Sequence, residues 1–181
     1  MHSGLDAVRI RWADADPGDR RGTSRLLLGD LLPGAVVRAG PCARCGGAHG
    51  RPHVEGGLDE VSVAYAAGRA FVAAVSRSVA TAVGIDAEAG APDAPARIDR
   101  MRPETTLREW TRIEAALKAD GRGLTLDPAL VRIRTAADGW TAFVPGRSAP
   151  IVGRDLDGPA GVVLSVAIVP AEAAAARRAT G

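Results

Sequence analysis

At 181 residues the chain is long enough for one sizeable core or two small ones. It is 46% hydrophobic but only 3% aromatic, so that core is built from Ala, Val, Leu and Ile. Lys and Arg number 23 against 21 Asp and Glu, and the resulting net charge of +2 does not suit a nucleic-acid binder. No apolar run approaches the ~20 residues of a membrane span, and MHSGLDAVRIRW lacks an apolar signal core. A cytoplasmic protein with no membrane partner and with reduced cysteines is therefore expected.

The first element is RGTSRLLLGDLLPG, whose apolar cluster on a helical period predicts a helix from about Gly22 to Leu32, stopped by Pro-Gly. A Gly- and Cys-rich loop follows, RAGPCARCGGAHGRPHVEGG. Within it Cys42-x2-Cys45, with His49 and His53 downstream, has a spacing that invites zinc. Four groups crowded into so short a stretch fit a reduced, partly buried, metal-free loop better. VSVAYAAGRAFVAAVS then predicts a hairpin broken at Ala67-Gly68.

The next strand contains VGIDAE, residues 83–88. Strand alternation sends Asp86 and Glu88 to one face and Ile85 and Ala87 to the other. Two carboxylates that close repel unless a cation or a solvated edge relieves them.

Residues 89–103 hold three prolines and little periodicity, and predict a linker. Beyond it, PETTLREWTRIEAALKADGRG spaces Leu107, Trp110, Ile113 and Leu117 for a helix that Gly121 stops. On it Glu114 and Lys118 stand one turn apart, which by itself describes a surface ion pair. Two strands around an Asp138-Gly139 turn and a last apolar strand, GVVLSVAIVP, complete the chain. AEAAAARRATG predicts a short helical turn or a frayed tail. The element order of helix, hairpin and strand occurs twice. It suggests an α+β fold of two pseudo-symmetric halves, residues 1–88 and 104–170, joined by the linker 89–103 and followed by the tail 171–181.

VGIDAE followed by WTRIEAALKADGRGL resembles the two signature blocks of 4′-phosphopantetheinyl transferases of the surfactin-synthetase-activating type. Their usual forms are (V/I)-G-(I/V)-D-(I/V)-E and W-(S/T)-x-K-E-A-x-x-K-A-x-G-x-G. SRLLLGDLL is similar to the family's basic, Leu-rich helix, CGGAHGRP to its G-(K/R)-P block, and VSVAYAAGRAFVAAVS stands in the place of its V-S-x-S-H hairpin. Such proteins move the phosphopantetheine arm of coenzyme A to a serine of an acyl or peptidyl carrier protein and release 3′,5′-ADP. The resemblance implies Mg2+, with Mn2+ as the substitute, held by Asp86, Glu88 and Glu114. It implies Glu114 as metal ligand or base on the carrier serine, and Lys118 as the group that holds or protonates the leaving phosphate. Arg25, Arg51, Tyr65 and Lys118 would bind coenzyme A, the substrate, in a monomer acting in polyketide or nonribosomal peptide biosynthesis.

The chain departs from the pattern at Ala64-Tyr65, where the family carries Ser-His, and at Ile113, where it carries Lys. The segment between Glu88 and Trp110 is also short for the family. The alternative expectation is a family-fold protein that has lost arm transfer and serves as a carrier- or thioester-binding protein or a repurposed biosynthetic enzyme.

Overall fold

A computed structural model describes residues 4–42, 45–48, 50–96 and 103–171. Over the described residues the chain folds as an α+β protein with two named α-helices and three antiparallel sheets. Strand β1 (Arg9–Asp14) precedes helix α1 (Arg20–Leu31), and β2 (Val37–Ala39) pairs with β3 (Pro52–Val54). Next come β4 (Asp59–Ala66), β5 (Arg69–Ser76) and β6 (Ala80–Ala89). Helix α2 (Leu107–Asp120) follows, then β7 (Arg132–Ala136), β8 (Gly139–Phe143), β9 (Ile151–Leu156) and β10 (Val162–Pro170).

The larger sheets run in the order β1-β5-β4 and β6-β10-β9-β8-β7. β6 therefore pairs with the last described strand, although residues 90–131, which include α2, separate it from that sheet's other strands. The two sheets face each other across a shared core of Phe71, Ala73 and Val75 on one side and Val83, Ile85, Leu164, Val166 and Ile168 on the other. α1 covers the outer face of the three-stranded sheet through Leu27, Leu28 and Leu31. α2 covers the outer face of the five-stranded sheet through Ile113, Ala115, Ala116, Leu117 and Ala119. With so few aromatic residues, close packing depends on alanine, and small side chains let helix and sheet backbones approach.

Both helices carry their own punctuation. Asp19 caps α1 by accepting from Gly22 N at 2.8 Å, so the helix opens two residues earlier than Gly22. Thr106 caps α2 by accepting from Glu109 N at 3.2 Å, and Gly121, at φ 90°, closes it through its N–H to Leu117 O. Between β4 and β5, Ala67 and Gly68 both take positive φ, the geometry of a tight two-residue hairpin turn.

Several local expectations change. β1 and β9 are strands that sequence inspection passed over, and the Cys-rich loop is flanked by the short pair β2–β3. The turn between β7 and β8 is Ala137-Asp138, with Gly139 already in β8, where a Cβ would meet Gly153 O at 2.4 Å. Within the proline-rich stretch, residues 92–96 are tied to the start of α2: Ala96 N donates to Thr105 O, Leu107 N to Ala94 O, and Arg108 N to Pro92 O. His49 and residues 97–102 and 172–181 lie outside the described residues. Among the described residues no helix is long and apolar enough to cross a membrane.

Candidate functional site

The site begins with a match of spacings. One helical turn of four residues rises ~6 Å and two strand residues advance ~6.6 Å, so a helix lying along a strand can set every fourth residue against every second one. α2 lies along β6 in this way, in the opposite direction. Trp110, Glu114 and Lys118 form one stripe of the helix, and Glu88, Asp86 and Gly84 form the facing stripe of the strand. Gly84 allows the close approach, since a Cβ there would lie 2.0 Å from Ala115 O and 2.6 Å from Ala119 N. Ile85 and Ala87 point the other way into the core between the sheets, as alternation requires.

Three hydrogen bonds join the two stripes. Trp110 Nε1 donates to Glu88 Oε1 at 3.0 Å, and Lys118 Nζ donates to Asp86 Oδ1 at 2.6 Å and to Ile85 O at 3.1 Å. Lys118 thus spends its charge on Asp86 rather than on an ion pair with its helical neighbour Glu114. Ligand oxygens of Asp86, Glu88 and Glu114 lie within 4.8 Å of one another. Among the described residues this is the one group of three or more metal-ligating side chains. Asp86 is 3% exposed, and its Oδ2 is buried with no hydrogen-bond donor.

Burial first, then the neighbouring Glu114 carboxylate, push the Asp86 carboxyl well above the usual range, although Lys118 opposes them. The Glu88 carboxyl is also raised, by burial and by Glu114, against the Trp110 hydrogen bond and Lys118. Asp155 provides the contrast. Burial would raise it too, but the Arg112 fork (Nε to Oδ1 2.9 Å, Nη2 to Oδ2 2.6 Å), the Ser165 hydroxyl and Arg108 together hold it below the usual range. Asp155 has donors to spare and braces α2 on β9. Asp86 lacks a donor on one oxygen, which marks a place for a cation.

Beside this cluster opens a cleft of about 380 Å³. Arg20, Arg21 and Arg25 of α1, Arg38 of β2, Arg51 and Lys118 line it, and among the described residues no carboxylate does. The three clustered carboxylates do not line it either; Lys118 is the group common to both. β6 is the edge strand of its sheet, and its free backbone edge is satisfied by cleft side chains. Arg51 Nη2 donates to Val83 O at 3.1 Å, Ser62 Oγ accepts from Ile85 N at 3.1 Å, and Lys118 takes Ile85 O.

Tyr65 lies under the Arg20 guanidinium, 4.9 Å from its ring centre, with its hydroxyl 2.8 Å from Ser24 Oγ. Ser24 Oγ in turn donates to Arg21 O at 3.0 Å, which leaves it able to accept from the Tyr65 hydroxyl. The other two substituted positions, Ala64 and Ile113, are core residues, 3% and 1% exposed. A lysine at 113 would bury its ammonium among Leu117, Trp140 and Ile151.

The structure thus brings Asp86, Glu88, Glu114 and Lys118 into one cluster, and Arg25, Arg51 and Tyr65 into the adjoining cleft with Lys118. Cys42 is half-buried and Cys45 exposed, and they join no metal-ligating cluster among the described residues. Sequence inspection missed Trp110 as a partner of Glu88, though its place one turn before Glu114 is the signal that would have shown it. It also missed Arg20, Arg21, Arg38 and Ser62, whose roles depend on which loops border the cleft. No protein-family model matches the chain, and no curated protein matches it.

Proposed function

We propose that the protein transfers the 4′-phosphopantetheine arm of coenzyme A to a serine of an acyl or peptidyl carrier protein, releasing 3′,5′-ADP. The observation that carries this reading is Lys118, which joins a carboxylate cluster short of positive charge to a cleft whose charged lining residues, among those described, are all cationic. The donor set suits a hard divalent cation: three carboxylates, no nitrogen or sulfur, and one buried acceptor oxygen without a donor. Such an ion, Mg2+ or Mn2+, on Asp86, Glu88 and Glu114 would neutralise the diphosphate of the substrate.

The other roles belong to the chain's own groups. Guanidinium forks from Arg25 and Arg51 bind phosphate oxygens in the cleft. Glu114 accepts the proton of the carrier serine as its oxygen bonds to the phosphorus of the arm. The bond from that phosphorus to the ADP oxygen breaks, and Lys118 offsets the negative charge left on the departing phosphate. The same proposal extends to the architecture. α1 with β4–β5 and β6, and α2 with β7–β8 and β10, are read as two related halves of one monomer, with the site where β6 meets α2.

A second reading, a protein that binds coenzyme A thioesters or carriers without transferring the arm, has one observation in its favour. Lys118 already places a cation on Asp86, and an internal ammonium can relieve a carboxylate without a metal. Incubation with coenzyme A, Mg2+ and a panel of apo carrier proteins, followed by intact mass, decides between them. Wild type is expected to add the arm to at least one carrier. Glu114→Gln, of similar size and helix propensity, should slow transfer by ~10²–10⁴-fold with little change in melting. Wild type that binds coenzyme A yet modifies no carrier establishes the second reading.

A further inference from the structure

We infer that Trp110 and Lys118 make the carboxylate cluster selective for Mg2+ over Ca2+ by occupying one oxygen of each of two ligands, with Trp110 the positioning residue for Glu88. This rests on the cation-binding part of the function proposed above. Trp110 Nε1 holds Glu88 Oε1, which leaves Glu88 Oε2 for an ion. Lys118 Nζ holds Asp86 Oδ1, which leaves the donorless Asp86 Oδ2. Glu88 and Asp86 therefore each keep one oxygen free of these donors, and Glu114 completes the set.

The consequence follows from ion size. Ca2+ takes six to eight oxygens at ~2.3–2.6 Å and favours carboxylates that give both oxygens. Mg2+ takes six at ~2.0–2.1 Å, keeps several waters, and is satisfied by single oxygens from one or two carboxylates. The part-buried hydrogen bonds on Oε1 and Oδ1 disfavour bidentate ligation by Glu88 and Asp86, which the larger ion uses and the smaller one does not need. Trp110 is suited to the task because it is itself fixed. It is 5% exposed and sits in the first turns of a capped helix. Trp140 shows that an indole N–H can be buried here without any partner, so burial alone does not dictate the bond to Glu88.

The test is calorimetric titration of the cation-free protein with MgCl2 and with CaCl2, for wild type and Trp110→Phe, which keeps an aromatic ring and removes the N–H. Wild type should prefer Mg2+, and the variant should lose at least about tenfold of that preference, ~1.4 kcal/mol, through tighter Ca2+ binding. A second measurement needs no variant. The Trp110 indole N–H resonance of wild type should stay protected from solvent exchange when Mg2+ is bound. Should Trp110→Phe fail to fold, this resonance decides alone. An unchanged Mg2+ to Ca2+ ratio in a folded variant, or an indole N–H that loses protection on Mg2+ binding, overturns the inference while leaving the proposed function standing. Wild type that binds neither ion overturns both the cation site and the inference.

Discussion

Gly84→Ala tests whether the close contact of α2 with β6 is what builds the site. A Cβ at Gly84 would lie 2.0 Å from Ala115 O, 2.6 Å from Ala119 N and 2.9 Å from Lys118 Cβ. Two of these three atoms are helix backbone, so rotamer changes cannot relieve the clash. The helix must retreat on the order of 1 Å before the carbonyl returns to ordinary contact. Overpacking of this kind costs ~1–3 kcal/mol, and the loosened Ala115, Ala116 and Ala119 contacts bring the total to about 3 kcal/mol. For a chain of this size each kcal/mol lowers melting by ~2–4 °C, so a fall of ~6–12 °C is expected. The same retreat stretches the Lys118–Asp86 and Trp110–Glu88 bonds, and misplacement by ~1 Å costs an active site ~10²-fold. Calorimetric melting and the carrier mass assay, run on the same preparation, measure both effects. Gly29→Ala is the control: nothing lies within 4 Å of that Cβ, and alanine inside α1 should stabilise by ~0.5–1 kcal/mol. A Gly84→Ala protein that melts and transfers like wild type would refute the claim that helix–strand approach at this glycine sets the geometry.

Two further outcomes follow from the electrostatics. Because the folded state holds the Asp86 proton more tightly than the unfolded chain, its stabilising contribution is complete below the ordinary value of 3.8 and is lost as pH rises through the raised one. Protein in EDTA should therefore melt lower as pH climbs above the usual carboxylate range, Asp86→Asn should flatten that fall, and Mg2+ should reverse it. An equally steep fall in Asp86→Asn would assign the effect to other groups. Tyr65→Phe removes a hydroxyl hydrogen-bonded to Ser24, so about 1 kcal/mol of stability should go with coenzyme A affinity unchanged by calorimetry. A tenfold loss of affinity would show that the hydroxyl serves the ligand instead.

Much of the scaffold was legible because its residues repeat a simple period. Trp110, Ile113 and Leu117 keep a helical stripe between a threonine cap and a glycine stop, and β4, β5, β6 and β10 are long, Val- and Ala-rich runs. β1 was legible in principle, since Arg9, Ile10, Arg11 and Trp12 alternate and Trp12 packs on Phe71. β9 was not: Ile151–Leu156 holds a glycine and two charges. It becomes a strand because β10 and β8 pair with it from both sides and Gly153 leaves room for the Trp140 ring.

The sequence by itself determined which residues could share a face, since the side-chain periods of strand and helix are properties of the backbone. Asp86 beside Glu88, and Trp110, Glu114 and Lys118 in one stripe, follow from spacing alone. Only the tertiary structure decided which stripe meets which. β6 pairs with β10, a strand some eighty residues later, and this pairing presents Asp86 and Glu88 to α2. It also decided that Lys118 bonds Asp86 rather than Glu114, because the strand backbone approaches the helix at Gly84 closely enough for Ile85 O and Asp86 to capture the ammonium together. Partner choice among charges depends on distance and burial through space, and neither is a property of separation along the chain.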